Sequence, residues 1–96
     1  MAKVKVYWSK TALKGVEAIG DYIAKADPER AIEFVRRLLD STSHLETFPM
    51  SGSLCREDRS CRHVVVTSYR VIYEVTDRGV QILIVLKPGQ SPIRFK

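Results

Sequence analysis

Val4, Val6 and Trp8 alternate with Lys3, Lys5 and Tyr7, the period-two pattern of a strand that buries one face. Ser9 then stands where an N-cap belongs. Ala12, Val16, Ile19 and Ile23 recur at spacings of four, three and four, so a helix from about Lys10 to Lys25 carries them on one side. Gly15 and Gly20 inside it each cost about 1 kcal/mol relative to Ala, which predicts a closely approaching neighbour. At Asp27-Pro28-Glu29 the chain restarts: Asp27 can cap, Pro28 suits the first helical turn, and Glu29 complements the helix dipole. The second helix is expected to bury Ala31, Val35, Leu38 and Leu45, flanked by Phe34 and Leu39. Its outer face sets Glu33 against Arg37 and Arg36 against Asp40. So short a link between the helices makes them an antiparallel hairpin.

Phe48-Pro49-Met50-Ser51-Gly52 ends the helical half, and the rest alternates or runs apolar as strands do. Leu54 to Arg56 reads as a short edge strand, followed by Arg62 to Thr67, Arg70 to Thr76 and Val80 to Leu86. The last two are joined by a hairpin turn at Asp77-Arg78-Gly79. Val80 to Leu86 is apolar except at Gln81, which predicts an interior strand covered on both faces, with the first strand as its second neighbour. From Lys87 the chain reads as loop. The order of elements predicts an α+β fold: strand, two-helix hairpin, then three to four strands in a mainly antiparallel sheet, with the helices on one face. The other face is expected to lie more open and to receive a partner or substrate.

At 96 residues this is one domain, 1–96, and at 45% hydrophobic and 28% charged it is ordinary globular composition. No apolar run approaches the ~20 residues of a membrane span, and Met-Ala-Lys-Val-Lys does not lead into a signal-peptide core. A cytoplasmic protein with no membrane partner is expected. The net charge is +5, and it is uneven: eight Lys/Arg stand against seven Asp/Glu before Ser51, and eight against four from there on. A basic strand half favours acidic partners.

The chemistry-bearing residues are few. There is no Gly-rich phosphate loop, nucleophile elbow or convincing pair of carboxylates. Cys55, Cys61 and His63, joined by His44, could in principle ligate zinc, but the cysteine spacing is too wide for a zinc knuckle and no second pair exists. Two reduced, partly buried thiols and a surface imidazole are the expectation, with no metal and no cofactor. Arg56, Arg59 and Arg62 surround Glu57 and Asp58, the makings of a solvated loop with internal ion pairs. Arg70 differs, because within so apolar a strand it must find a partner or face the open side. If Arg62 and Arg70 project to the same side of their hairpin, they form a cationic patch for phosphates or carboxylates.

Several of these residues together resemble the ParE/RelE superfamily of type II toxin-antitoxin toxins. They are Trp8-Ser9 before an Ala-Leu helix start, Phe48-Pro49 with Gly52 after the second helix, Arg62, and Ser68-Tyr69-Arg70-Val71-Ile72-Tyr73-Glu74-Val75 followed by Val80 to Leu86. The resemblance spans nearly the whole chain. It implies a small toxin that arrests bacterial growth and is held inactive by a cognate antitoxin in a heteromeric complex. RelE-like members cleave mRNA on the ribosome, and ParE-like members poison DNA gyrase without being enzymes.

Cleavage through the RNA 2′-hydroxyl needs a proton acceptor, cations for the phosphorane and an acid for the leaving oxygen. Here Arg70 matches the family arginine. The preceding strand, however, reads Val64-Val65-Val66 where the RelE-like arm tends to carry lysines. The tail from Lys87 to Lys96 has no Tyr or His. A ribonuclease would have to draw on Arg62, Arg70, His63 and Arg94, and by strand alternation His63 should point away from Arg62. The long helical hairpin also suits the ParE-like arm, although ParE-like toxins often carry His or Arg just after the last strand, where this chain has Lys87-Pro88-Gly89. Gyrase poisoning is therefore favoured, with Arg62, Arg70 and Lys87 as contacts and Tyr69 and Tyr73 as contacts or core. The alternatives are ribosome-dependent cleavage and a non-toxic antitoxin-binding module. An exposed edge strand and an apolar groove beside the helices would invite the antitoxin by strand addition and helix docking.

Overall fold

A computed structural model describes residues 2–90. Strand β1 (Val6–Trp8) leads into helices α1 (Lys10–Ala26) and α2 (Pro28–Thr47), followed by β2 (Ser53–Leu54), β3 (Arg62–Val66), β4 (Tyr69–Thr76) and β5 (Gly79–Leu86). The sheet order is β1-β5-β4-β3-β2. β1 runs parallel to β5 and every other pair is antiparallel. The fold is thus α+β with a mixed sheet, and β5 is interior with β1 as its second neighbour, as its apolar run predicts.

Both helix starts are fixed by their caps. The Ser9 hydroxyl accepts from the Ala12 amide at 2.9 Å and donates to the Leu83 carbonyl at 2.7 Å. That carbonyl is exposed by a bulge: Ile72 pairs with Ile84 and Tyr73 with Ile82, which leaves Leu83 unpaired. One serine therefore caps α1 and ties it to the centre of the sheet. Asp27 accepts from the Glu29 and Arg30 amides, with Pro28 in the first turn of α2.

The helices cover one face of the sheet, where Ala12, Ile19, Phe34, Leu38 and Leu45 pack on Val66, Val71, Tyr73, Val80, Ile82 and Val85. Gly15 lies against the Val85 carbonyl, where an added Cβ would sit at 3.6 Å, so its expected close neighbour exists. Gly20 has none within 4 Å. α2 is rotated from its expected setting. Phe34, Leu38, Thr42 and Leu45 are buried, whereas Val35 and Leu39 are 38% and 55% exposed. Phe34 turns inward to pack at a tilt against Tyr69, with ring centroids 5.0 Å apart. Thr42 is tolerated because its hydroxyl donates back to the Leu38 and Leu39 carbonyls. On the outer face Glu33 binds both Arg37 and Arg36, so Arg36 reaches back to Glu33 instead of forward to Asp40.

The opposite face is not bare. β2 ends at Leu54, earlier than the expected Arg56, because residues 55–61 leave the edge as a strap across the sheet. Cys55 and Cys61 anchor that strap in a second apolar cluster with Ile72 and Leu86, against which Leu83 and Ile84 pack. Covering β5 from both sides is what makes nearly its whole run apolar.

Candidate functional site

The two-residue turn Thr67-Ser68, with φ of 54° and 130°, sets Val66 opposite Tyr69 and fixes the β3–β4 register. Arg62 then lies opposite Tyr73, His63 opposite Ile72, and Val65 opposite Arg70. Side chains alternate faces along a strand, so Arg62, Tyr69 and Tyr73 project to the helical side and His63 and Arg70 to the strap side. The shared patch of Arg62 and Arg70 does not form. The expectation that His63 points away from Arg62 holds.

On the helical side, Arg62 donates to the carbonyls of Gly52 at 2.8 Å and Met50 at 3.2 Å. Its partner Tyr73, fully buried, accepts from the Gly52 amide at 2.9 Å and donates to the Pro49 carbonyl at 2.8 Å. Between them these side chains hold the exit from α2. Tyr69 is half-buried on Phe34. It also lines a cleft of about 810 Å³ at the tip of the helical hairpin, with Tyr22, Lys25, Arg30 and Arg37 nearby. That cleft contains none of Arg62, His63 and Arg70.

On the strap side, Arg70 is gripped by Glu57. Two guanidinium nitrogens reach the two carboxylate oxygens at 2.9 and 3.3 Å, and the Nε donates to Nδ1 of His63 at 3.2 Å. The ion pair is about three-quarters buried, with 24% and 26% of the two side chains exposed, and bidentate geometry makes it more than a loose surface contact. The Arg70 guanidinium, with help from a local backbone amide, holds the Glu57 carboxyl down at about 2, and Glu57 in turn raises Arg70. His63 is lowered from its ordinary 6.5, first by burial and then by the neighbouring Arg70 charge, while Glu57 acts in the opposite direction. Both depressed groups bind protons less readily folded than unfolded. They support the fold at neutral pH, His63 losing its share as pH falls below about 6.5 and Glu57 losing its share from its ordinary 4.5 towards 2. By NMR titration the His63 midpoint should lie below 6.5 and should rise in Arg70→Met, which removes the adjacent cation. An unmoved midpoint would contradict the Arg70–His63 contact.

Sequence reasoning missed the partnership of Glu57 with Arg70. The requirement that Arg70 pair or face the open side was legible, and it is met by pairing, on a face that the strap covers. The partner thirteen positions earlier could not be picked from among Glu57, Asp58 and Glu74 without the register. Lys87, just beyond β5, is exposed. Arg94 and the tail beyond Gln90 lie outside the described residues. His44 packs at a tilt against Phe48, with centroids 4.9 Å apart. Among the described residues no three His, Cys, Asp or Glu side chains gather to hold a metal, and no helix is long and apolar enough to cross a membrane.

A sheet with parallel β1 and a capping helical hairpin is the architecture of a solved toxin-antitoxin protein. The chain matches a structure described as a chromosomal ParDE TA system from P. aeruginosa with a TM-score of 0.76, covering 90% of this chain and 97% of that one at 19% identity. Y4kP of Sinorhizobium fredii (strain NGR234), a candidate toxin by its name, is 33% identical over 93 residues, 95% of both chains. The family model for the ParE toxin of the type II toxin-antitoxin system parDE matches residues 6–92, and the chain belongs to that family.

Proposed function

We propose that the protein arrests bacterial growth by poisoning DNA gyrase and is neutralised by a cognate antitoxin. The observation that carries this reading is the state of Arg70. RNA cleavage would need that cation free beside a proton-exchanging group, at a surface a phosphate can reach. Instead its guanidinium is taken up by Glu57 and His63, and the strap fills the space beside it with Cys55 and Cys61 over Ile72 and Leu86. Arg62, on the other face, is spent on two backbone carbonyls. A poison that binds its target by surface complementarity needs no such constellation. The excess of cations after Ser51, exposed Lys87 among them, suits a DNA-bound enzyme.

Two features support an antitoxin partner. Ile32, Val35 and Leu39 form an exposed apolar stripe on α2 at helical spacing, 60%, 38% and 55% exposed, the kind of surface another chain covers. The cleft at the hairpin tip adds aromatic walls, with Lys25 and Arg30 beside Asp27 and an Arg37 already paired with Glu33, a small cationic excess that suits an acidic segment.

Pulse labelling after induced expression tests the reading. Thymidine incorporation should fall before amino-acid incorporation, and co-expression of the antitoxin should restore both. If amino-acid incorporation falls first, a ribosome-directed ribonuclease is indicated. If growth is unaffected, the chain is an antitoxin-binding module without toxicity.

A further inference from the structure

We propose that Cys55 and Cys61 form a reversible thiol–disulfide site that fastens the 55–61 strap over Arg70 and His63. The β2–β3 register ends with Leu54 opposite Arg62, and the next residue outward on each side is a cysteine, Cys55 and Cys61. At that step the Cys55 amide donates to the Cys61 carbonyl at 3.0 Å. Directly opposed residues in an antiparallel pair have Cα atoms roughly 4.5–5.5 Å apart and side chains on one face. A disulfide spans about 4.4–6.8 Å between Cα atoms. Neither cysteine is in a disulfide, both are buried in one apolar cluster, and both pack with Ile72 and Leu86. The segment they bracket carries Glu57, so the bond would close a short ring around the residue that caps Arg70.

The closed strap shields its own thiols, with Cys55 and Cys61 at 1% and 0% exposure. Burial also pushes the Cys55 thiol above its ordinary range, which keeps it protonated and slow to react. Oxidation therefore follows opening of the strap. With oxidised glutathione, one cysteine thiolate attacks the glutathione disulfide, forms a mixed disulfide and releases one glutathione thiolate. The second cysteine thiolate then attacks the protein sulfur of that mixed bond and expels the other glutathione. The protein loses two electrons and two thiol protons, and the oxidant leaves as two glutathione thiols. The bond locks the capped arrangement, and a reducing environment returns the strap to its opening equilibrium. The gyrase reading already has Arg70 capped by Glu57, so formation of the bond does not depend on that reading.

The test uses the purified full chain, titrated with oxidised glutathione, quenched in acid and read by intact mass after alkylation under denaturing conditions. The expected product is a monomer lighter by two hydrogens with no alkylatable thiol, restored by dithiothreitol. Its Tm should be raised on the order of 10 °C by closure of the short loop. Cys61→Ser, or Cys61→Ala if the serine variant does not fold, should show neither the mass loss nor the Tm rise. A wild-type chain that keeps both thiols, stops at a glutathionyl adduct or links to a second chain would overturn the proposal. Gyrase inhibition by reduced and oxidised protein keeps the two readings apart: with Arg70 capped in both samples, equal inhibition is expected. If the bond forms but neither sample acts on gyrase, the disulfide site stands and the gyrase reading fails.

Discussion

Gly79→Ala should destabilise the fold by on the order of 4 kcal/mol. Gly79 has φ +129°, a region where side chains are strained by about 1–3 kcal/mol. A Cβ there would also strike the Lys5 carbonyl oxygen and come within 3.3 Å of the Lys5 carbonyl carbon and amide nitrogen. The same carbonyl accepts from the Val80 amide at 2.9 Å, at the start of the parallel pairing of Val6 with Val80. The methyl group therefore pushes β1 off β5 and loosens α1, which Ser9 connects to that junction. Domains of this size have roughly 5–15 kcal/mol in all, so a Tm drop of about 20 °C is expected by thermal denaturation. Gly20→Ala is the control. It has no neighbour within 4 Å and lies inside α1, so it should be neutral or gain up to about 1 kcal/mol.

Tyr73→Phe should cost about 2–4 kcal/mol while leaving the apolar packing of the ring intact. The removed hydroxyl serves the Gly52 amide and the Pro49 carbonyl, and each backbone group left buried without a partner costs roughly 1–3 kcal/mol. Gly52 has no room to compensate, since even a Cβ there would meet the Tyr73 hydroxyl at 2.5 Å. Urea denaturation should show a lower midpoint with an unchanged slope. Well below its Tm the variant should retain wild-type affinity for its target, because a fully buried ring acts through the fold.

Local signals reached the elements. Asp27-Pro28-Glu29 marks the restart of helix because capping and proline stereochemistry act within a few residues. The apolar run at Val80 marks an interior strand because both faces of β5 are covered. Signals that depend on parity or on rotation were weaker. α2 offers more apolar residues than its buried face can hold, and the choice of Phe34 over Val35 and Leu39 was made by Tyr69, far away in sequence. Arg62 and Arg70 were separated by the β3–β4 register. Arg62 shares a face with its cross-strand partner Tyr73, and the three-residue step from Tyr73 back to Arg70 reverses it. Glu57 became the partner of Arg70 only because residues 55–61 cross the sheet, and no spacing rule in a short polar loop encodes that path.

The gyrase reading is tested most directly with purified components. Bacterial DNA gyrase, relaxed plasmid and ATP are incubated with the protein, and the products are treated with detergent and protease before electrophoresis. Poisoning predicts lost supercoiling together with linear plasmid that appears only after detergent, in proportion to added protein, and that disappears when the antitoxin is included. Unchanged supercoiling with no linear DNA, alongside cuts in codon register on ribosome-bound mRNA, would contradict it.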